Sequence, residues 1–357
     1  MSEARTAITD DVRAVFDAHL GHADEEAAVA LTLRLLREGV SPEEILLGLV
    51  APAQVAVGVR WACDEWSVAQ EHAATHISER AVAALAAATH LPAPAASSGA
   101  ASAGDVVVTC SDGEWHTLPA RILSEVLRLR GYRVRFLGGH VPAAQLVSDL
   151  HQHGPDVVAL SCTLPVRLPL AYRLIQVCHR AGVPVLCGGS GFGPDGVWAR
   201  ALGADLYAAD AAGADTLLRH RWPPPLTGEP SVDARSTEAY AELARRRSEL
   251  LGHVVARLHD RFPAMRHPTD QQYEATTETL GHLLDSLAAG VFVDDPRVLT
   301  GYLSFCVDFL AARSVDPERL RTVLETLSEL LPGRPLILSH LAVGQRWLDA
   351  PAEGTAN

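Results

Sequence analysis

The stretch from 105 to 210 decides the architecture. It runs DVVVTC (105–110), TLPARILSEVLRLRG (117–131), YRVRFLG (132–138), PAAQLVSDLHQHG (142–154), DVVALSC (156–162), PLAYRLIQVCHRAG (169–182), VPVLCGG (183–189) and DLYAAD (205–210). Short apolar runs without polar alternation are what strands buried on both faces require, and they alternate with helical stretches whose apolar residues recur every three or four positions. That alternation predicts a doubly wound parallel sheet over 105–221, whose ligands sit at the carboxyl ends of the strands. Outward toward the N-terminus, PAPAASSGAASAG (92–104) has the Pro, Ala, Ser and Gly composition of a linker. Before it, residues 1–91 read as a four-helix bundle, with helical periodicity in VRAVFDAHL, AAVALTLRLLREG and EEILLGLVAPAQVAVGVRW. On the other side, WPPPLTGEPSVDA (222–234) reads as a second linker. Residues 235–350 are expected to be all helix, in segments 236–262, 270–289, 296–313, 317–331 and 335–349, followed by a tail at 351–357.

The bulk properties narrow the function. Of 357 residues, 48% are hydrophobic and 20% charged, and the net charge of -13 lacks the clustered Lys and Arg that would neutralise a phosphate backbone. Direct nucleic-acid binding is therefore not expected. No run of about 18 apolar residues stands out as a membrane span, and the acid-containing N-terminus is unlike a leader. These features point to the cytoplasm. The cysteines Cys63, Cys110, Cys162, Cys178, Cys187 and Cys306 form no CxxC pair, so reduced, buried thiols are the simplest reading.

Three groups of residues can carry chemistry. His116 falls on the loop after the first strand, and Glu114 lies two positions before it. An imidazole suits a first-row transition metal, and a carboxylate can hold its second ring nitrogen and tune its basicity. Taken alone, a loop histidine is more often a solvated side chain. Ser161 and Thr163 end the third strand, and Gly188-Gly189 end the fourth, where a strand-to-helix turn is the plain alternative. In the bundle, RWACDEWSVAQEH places nine residues between Trp61 and the pair Glu71-His72, with Val68 one turn ahead of His72 on the same helix face. An isolated tryptophan would otherwise be read as core.

Together these residues resemble two families. Trp-x9-Glu-His resembles the cap over adenosylcobalamin in the CarH family of cobalamin photoreceptors. The later residues resemble the cobalamin-binding domain of methionine synthase and its relatives: Glu114, His116 and Pro119 stand for Asp-x-His-x-x-Gly, positions 120–160 for the spacer, Ser161-Cys162-Thr163 for Ser-x-Leu, and Gly188-Gly189 for the last element. The departures are Glu for Asp at 114, Pro for Gly at 119 and Thr for Leu at 163; CarH-like proteins also use glutamate at the first. What the resemblance implies is base-off cobalamin with His116 as the lower cobalt ligand, the nucleotide tail beside Ser161 and the glycines, and Trp61, Val68, Glu71 and His72 around the adenosyl group. Where CarH has a histidine directly after its tryptophan this chain has Ala62, so a bis-histidine state after photolysis would recruit His72 or His76, or would not form.

The order of bundle, cobalamin fold and C-terminal helices is similar to that of the photocobilins, which pair cobalamin with biliverdin. It implies a globin-like third domain binding biliverdin, with Arg261, Arg266 and Arg297 for the propionates and His282 and Tyr302 nearer the ring system. A solvated helix face is the plain reading of each of these. Cys306, in YLSFCVDFLAA, reads as core rather than as a bilin attachment point. The leading expectation is a non-enzymatic light sensor. It would signal through a homo-oligomer with a light-dependent state, or through a separate signalling partner. The alternative is a corrinoid shuttle protein for a methyltransferase. An adenosylcobalamin-dependent isomerase subunit is a third possibility, for which no substrate barrel is found.

Overall fold

The computed structural model describes residues 8–89, 103–265, 269–313 and 315–350. The helical N-terminal part contains α1 (Asp10–Gly21), α2 (Glu25–Arg37), α3 (Pro42–Ile45), α4 (Ala51–Ala62) and α5 (Val68–Thr89). A π turn at Leu46–Val50 joins α3 and α4 into one helix, Pro42–Ala62. That turn lies just before Pro52, which has no N–H to give to the helical ladder, so the local hydrogen-bond register changes there. Capping follows the sequence: Thr9, Asp24 and Ser41 accept from Val12, Ala27 and Glu44 amides at 3.3, 3.0 and 3.2 Å, each with acids in the first turn.

By length and composition the helix Pro42–Ala62 could span a membrane, which the sequence reading did not anticipate. In this fold its Ile45, Leu46, Leu49, Val50, Ala53 and Val57 enter the bundle core beside Phe16, Leu31 and Ile77.

Five parallel strands form the sheet, β1 (Asp105–Cys110), β2 (Arg133–Gly138), β3 (Val157–Ser161), β4 (Val185–Gly188) and β5 (Leu206–Ala208), in the order β2-β1-β3-β4-β5. Val107 lies opposite Val158, and Ala159 opposite Leu186. The strand order reverses between β1 and β3, and the carboxyl ends at such a switch point are where sheets of this kind bind ligands. The intervening helices are α6 (Leu118–Leu129), α7 (Ala143–His153), α8 (Leu168–Arg180), α9 (Val197–Ala201) and α10 (Ala211–His220). Pro119 falls at the second position of α6, where a missing N–H is harmless because that amide has no intrahelical acceptor. Leu118, Ile122 and Val126 of α6 join the core of the N-terminal helices.

The chain divides into two compact units. One holds residues up to Thr163 with Arg173–Gly189 and Ala204–Gly228; the other holds Leu164–Tyr172, Ser190–Gly203 and the chain from Glu229. The second unit contains α11 (Ala234–Arg261), α12 (Asp270–Val293), α13 (Arg297–Ala312), α14 (Glu318–Leu330) and α15 (Pro335–Asp349). These follow the five expected segments closely. Leu250, Leu283, Leu287, Leu299, Leu303, Leu324, Ile337 and Leu341 make its core. Within it Phe292 packs against Tyr172 and Tyr240 at ring separations of 5.5 and 5.2 Å, and the Trp198 indole donates to Asp295 at 2.9 Å.

Candidate functional site

The loop after β1 is held from several sides. Ser111 N donates to Ser161 O at 2.9 Å, and Glu114 N donates back to Ser111 O at 2.9 Å. Gly139 lies so close that an added Cβ would stand 2.7 Å from both Glu114 O and Thr117 Cγ2.

Glu114 is the centre of the arrangement. Its side chain is 1% exposed. One carboxylate oxygen accepts His116 N at 3.0 Å and faces His116 Nδ1 at 2.5 Å; the other accepts Thr163 N at 2.9 Å. Burial pushes this carboxyl upward, but the bonds from the His116 ring, the His116 amide and the Thr163 amide outweigh it and hold Glu114 below its ordinary range. The His116 side chain remains 52% exposed. With Nδ1 engaged by Glu114, Nε2 is the ring nitrogen placed to bind a metal.

The ends of β3 and β4 meet through backbone. Ser161 is buried, and Cys162 N donates to Gly188 O at 3.0 Å. Gly189 has φ +104°, and a Cβ there would come within 2.3 Å of Cys162 O, so a side chain is excluded both by conformation and by the neighbouring strand end. Thr163 contributes its amide to Glu114.

Among the cap residues, Trp61 ends α4 and is half-buried, while Glu71 sits in the first turn of α5 and accepts from Thr75 Oγ1 at 3.0 Å. His72 is 74% exposed, with Nε2 3.4 Å from Glu71, and His76 lies 3.9 Å from Glu25. Val68 is exposed, as are Val55 and Val59 of α4. Val55 and Val59 are four residues apart and share a face of α4.

Sequence reasoning passed over Trp115. It is 72% exposed and stacks on His140 at 5.2 Å and 10° between the planes. The signal was present as an aromatic residue between Glu114 and His116; its partner comes from the far side of β2.

The bilin residues meet only in part. His282 and Tyr302 come together at 6.5 Å between rings, and Tyr302 OH donates to Thr279 O at 3.0 Å. The cations do not stand ready for propionates. Arg261 pairs with Glu325 and Glu318 at 3.3 and 3.8 Å, and Arg297 pairs with Asp295 at 2.5 Å. Arg266 lies outside the described residues. Cys306 is fully buried, and burial pushes its thiol up to about 12, as expected for a core cysteine.

Comparison with known proteins gives these features a context. Residues 104–216 match the B12 binding domain family, and residues 15–86 match a second B12 binding domain family. The chain is 27% identical over 122 residues to trimethylamine corrinoid protein 1 of Methanosarcina acetivorans, covering 33% of this chain and 56% of the relative. It is 28% identical over 117 residues to dimethylamine corrinoid protein 3 of Methanosarcina mazei, covering 32% of this chain and 69% of that one. The match spans only about half the length of the trimethylamine relatives. The monomethylamine corrinoid protein structure from Methanosarcina barkeri shares the fold at a TM-score of 0.51 and 18% identity, covering 60% of this chain and all of that one. The chain thus carries a B12-binding module made of a helical part and a parallel-sheet part, and its cofactor is a corrinoid. Neither family match reaches past residue 216, which leaves α11 to α15 outside both.

Proposed function

We propose that this chain is a corrinoid-carrying protein rather than an enzyme, holding cobalamin base-off with His116 Nε2 as the lower cobalt ligand. The observation that carries this is the buried Glu114 carboxylate fixed on a half-exposed imidazole. Burying a carboxylate costs several kcal/mol unless hydrogen bonds compensate; the His116 and Thr163 amides supply part of that compensation, and the bond to Nδ1 in addition fixes a half-exposed ring. A metal ligand needs that orientation and the added basicity. Among the described residues no group of three His, Cys, Asp or Glu is placed to hold a bare ion, which suits a metal that arrives with its other ligands.

When bound, the corrinoid supplies a cobalt that can carry an alkyl group on its upper face. The remaining work belongs to the chain: Glu114 holds the His116 ring, Ser161, Gly188 and Gly189 stand at the strand ends where the tail would lie, and Trp61, Val59 and Val68 offer apolar cover edged by Glu71 and His72. The printed names of the relatives, corrinoid proteins for methylamines, support a shuttle that presents its cofactor to a separate methyltransferase. Hydroxocobalamin added to the purified protein should give a base-off, His-ligated spectrum that His116→Ala abolishes. An identical spectrum in the variant would remove His116 as ligand.

A second reading is favoured by the cap. A bulky indole at Trp61 suits a cover that stays closed over an adenosyl group, and α11 to α15 form a unit that neither family match accounts for. In this reading the chain is a light sensor using adenosylcobalamin, with biliverdin in a globin-like third domain near His282 and Tyr302. Absorption spectra recorded in darkness and after green light separate the two. Bleaching of the adenosyl form beside a red-shifted bilin band supports the sensor; dark exchange of methyl groups with a partner supports the shuttle. In both readings the chain works in the cytoplasm, away from nucleic acid, and passes its state to a partner or to another copy of itself.

A further inference from the structure

We infer that α5 carries the state of the His116 loop to the cap, and that the hydrogen bond between Thr117 and Glu79 is the connection. This rests on the corrinoid reading of the site. Thr117 Oγ1 donates to Glu79 Oε1 at 3.0 Å, across 38 residues of sequence. Thr117 immediately precedes α6, the position where a threonine hydroxyl ordinarily caps the helix. Here it has helical φ and ψ of -81° and -22° and makes no capping bond. The hydroxyl serves another helix instead of its own.

The loop has little freedom on the opposite side. Gly139 packs against Glu114 O and the Thr117 methyl so closely that even a Cβ would collide with both. A displacement of His116 is therefore directed toward α5 rather than toward β2. On α5 the residues Glu71, Thr75 and Glu79 are spaced by four and share a face. Thr75 Oγ1 donates to Glu71 at 3.0 Å and accepts from Gln54 Nε2 at 2.6 Å. This polar line runs about 12 Å along the helix, from Thr117 beside the lower-ligand loop to Glu71 at the cap. The rest of α5 is packed: Ala74, Ile77, Ala81, Val82 and Leu85 share a core with Leu118 and Ile122 of α6. Side chains packed that tightly hold α5 as one stiff element, so a pull on Glu79 through Thr117 is felt along the helix at Glu71. Glu79 and Thr117 are thus positioning residues, coupling the lower face of the corrinoid site to its cover.

Amide hydrogen exchange on the full chain tests this, with and without hydroxocobalamin, in the parent, Thr117→Val, Glu79→Leu and Glu79→Gln. Cobalamin uptake by the parent is expected to slow exchange both in the loop 113–118 and in α5 over 70–79. Thr117→Val and Glu79→Leu should raise cofactor-free loop exchange about fivefold, the equivalent of one ordinary hydrogen bond. On loading, they should protect the loop but not α5. Glu79→Gln retains an acceptor oxygen and should behave as the parent. An α5 response equal in all four proteins, with cobalamin taken up by each, overturns the inference alone. A parent that takes up no hydroxocobalamin overturns the corrinoid reading and this inference with it.

Discussion

Replacing Glu114 by Gln keeps the shape of the side chain and removes one acceptor from a buried three-donor site. The carboxylate receives His116 N and Nδ1 on one oxygen and Thr163 N on the other. A carboxamide can satisfy one side only, because its NH2 faces a donor on the other. Turned toward Thr163, it would bury two unsatisfied donors. Turned toward His116, it leaves groups on a residue whose side chain is 52% exposed, where water can compensate in part. The second arrangement is cheaper, and the loss of charge-assisted bonds then costs about 2 kcal/mol. For a unit of this size that corresponds to a fall in Tm of about 4–8 °C at neutral pH.

The acid response supplies an independent check. Because folding depresses the Glu114 pKa below its ordinary 4.5, the parent should have the full contribution above that value and lose it as pH falls through the lower folded value. The gap between parent and variant should therefore narrow on acidification. Thermal melts of both cofactor-free proteins, followed by circular dichroism from neutral to acid pH, measure both effects. Equal Tm values at pH 7, or a gap that widens in acid, would refute the account of Glu114 as a stabilising anchor.

Gly189→Ala should destabilise the fold by at least 1–3 kcal/mol and weaken cobalamin uptake, given φ +104° and the contact with Cys162 O; Gly301→Ala, on a helix with open space around it, should leave both intact, and equal melting of the two variants would count against the steric argument. Asp205→Asn should cost about 2–4 kcal/mol, since the buried carboxylate receives Thr227 N, Gly228 N, Val185 N and His179 Nε2 at 2.6 to 2.9 Å; faster proteolysis between 222 and 231 would report the released segment, and unchanged cleavage would discount the clamp. Under native conditions a thiol reagent should find one fast site, the exposed Cys63, because burial pushes Cys110, Cys178 and Cys306 up to about 12 and Cys187 well above its ordinary value; any fast equivalent left in Cys63→Ser would show that the core opens.

Much of the fold could be read from local pattern. The strands at 105–110 and 157–161 and all five C-terminal helices follow from apolar periodicity, and Glu114, His116, Ser161 and Gly188-Gly189 fall at or just after the carboxyl ends of β1, β3 and β4. The helix Pro42–Ala62 was harder to interpret, because composition cannot distinguish a core helix of a bundle from a membrane span. The cations assigned to a bilin show another limit. Sequence identifies an arginine, but whether Arg261 meets a ligand or Glu325 depends on which helix folds beside it.

By itself the sequence determined where helices and strands form and which residue types line the strand ends, because those depend on periods of two and 3.6 residues and on local caps. Only the tertiary structure decided that Glu114 reaches the Thr163 amide 49 residues on, that Thr117 bonds Glu79, and that Trp115 lies on His140. Those contacts arise where separate strand ends and helices converge, and the energy of each is realised only after the intervening chain has been ordered.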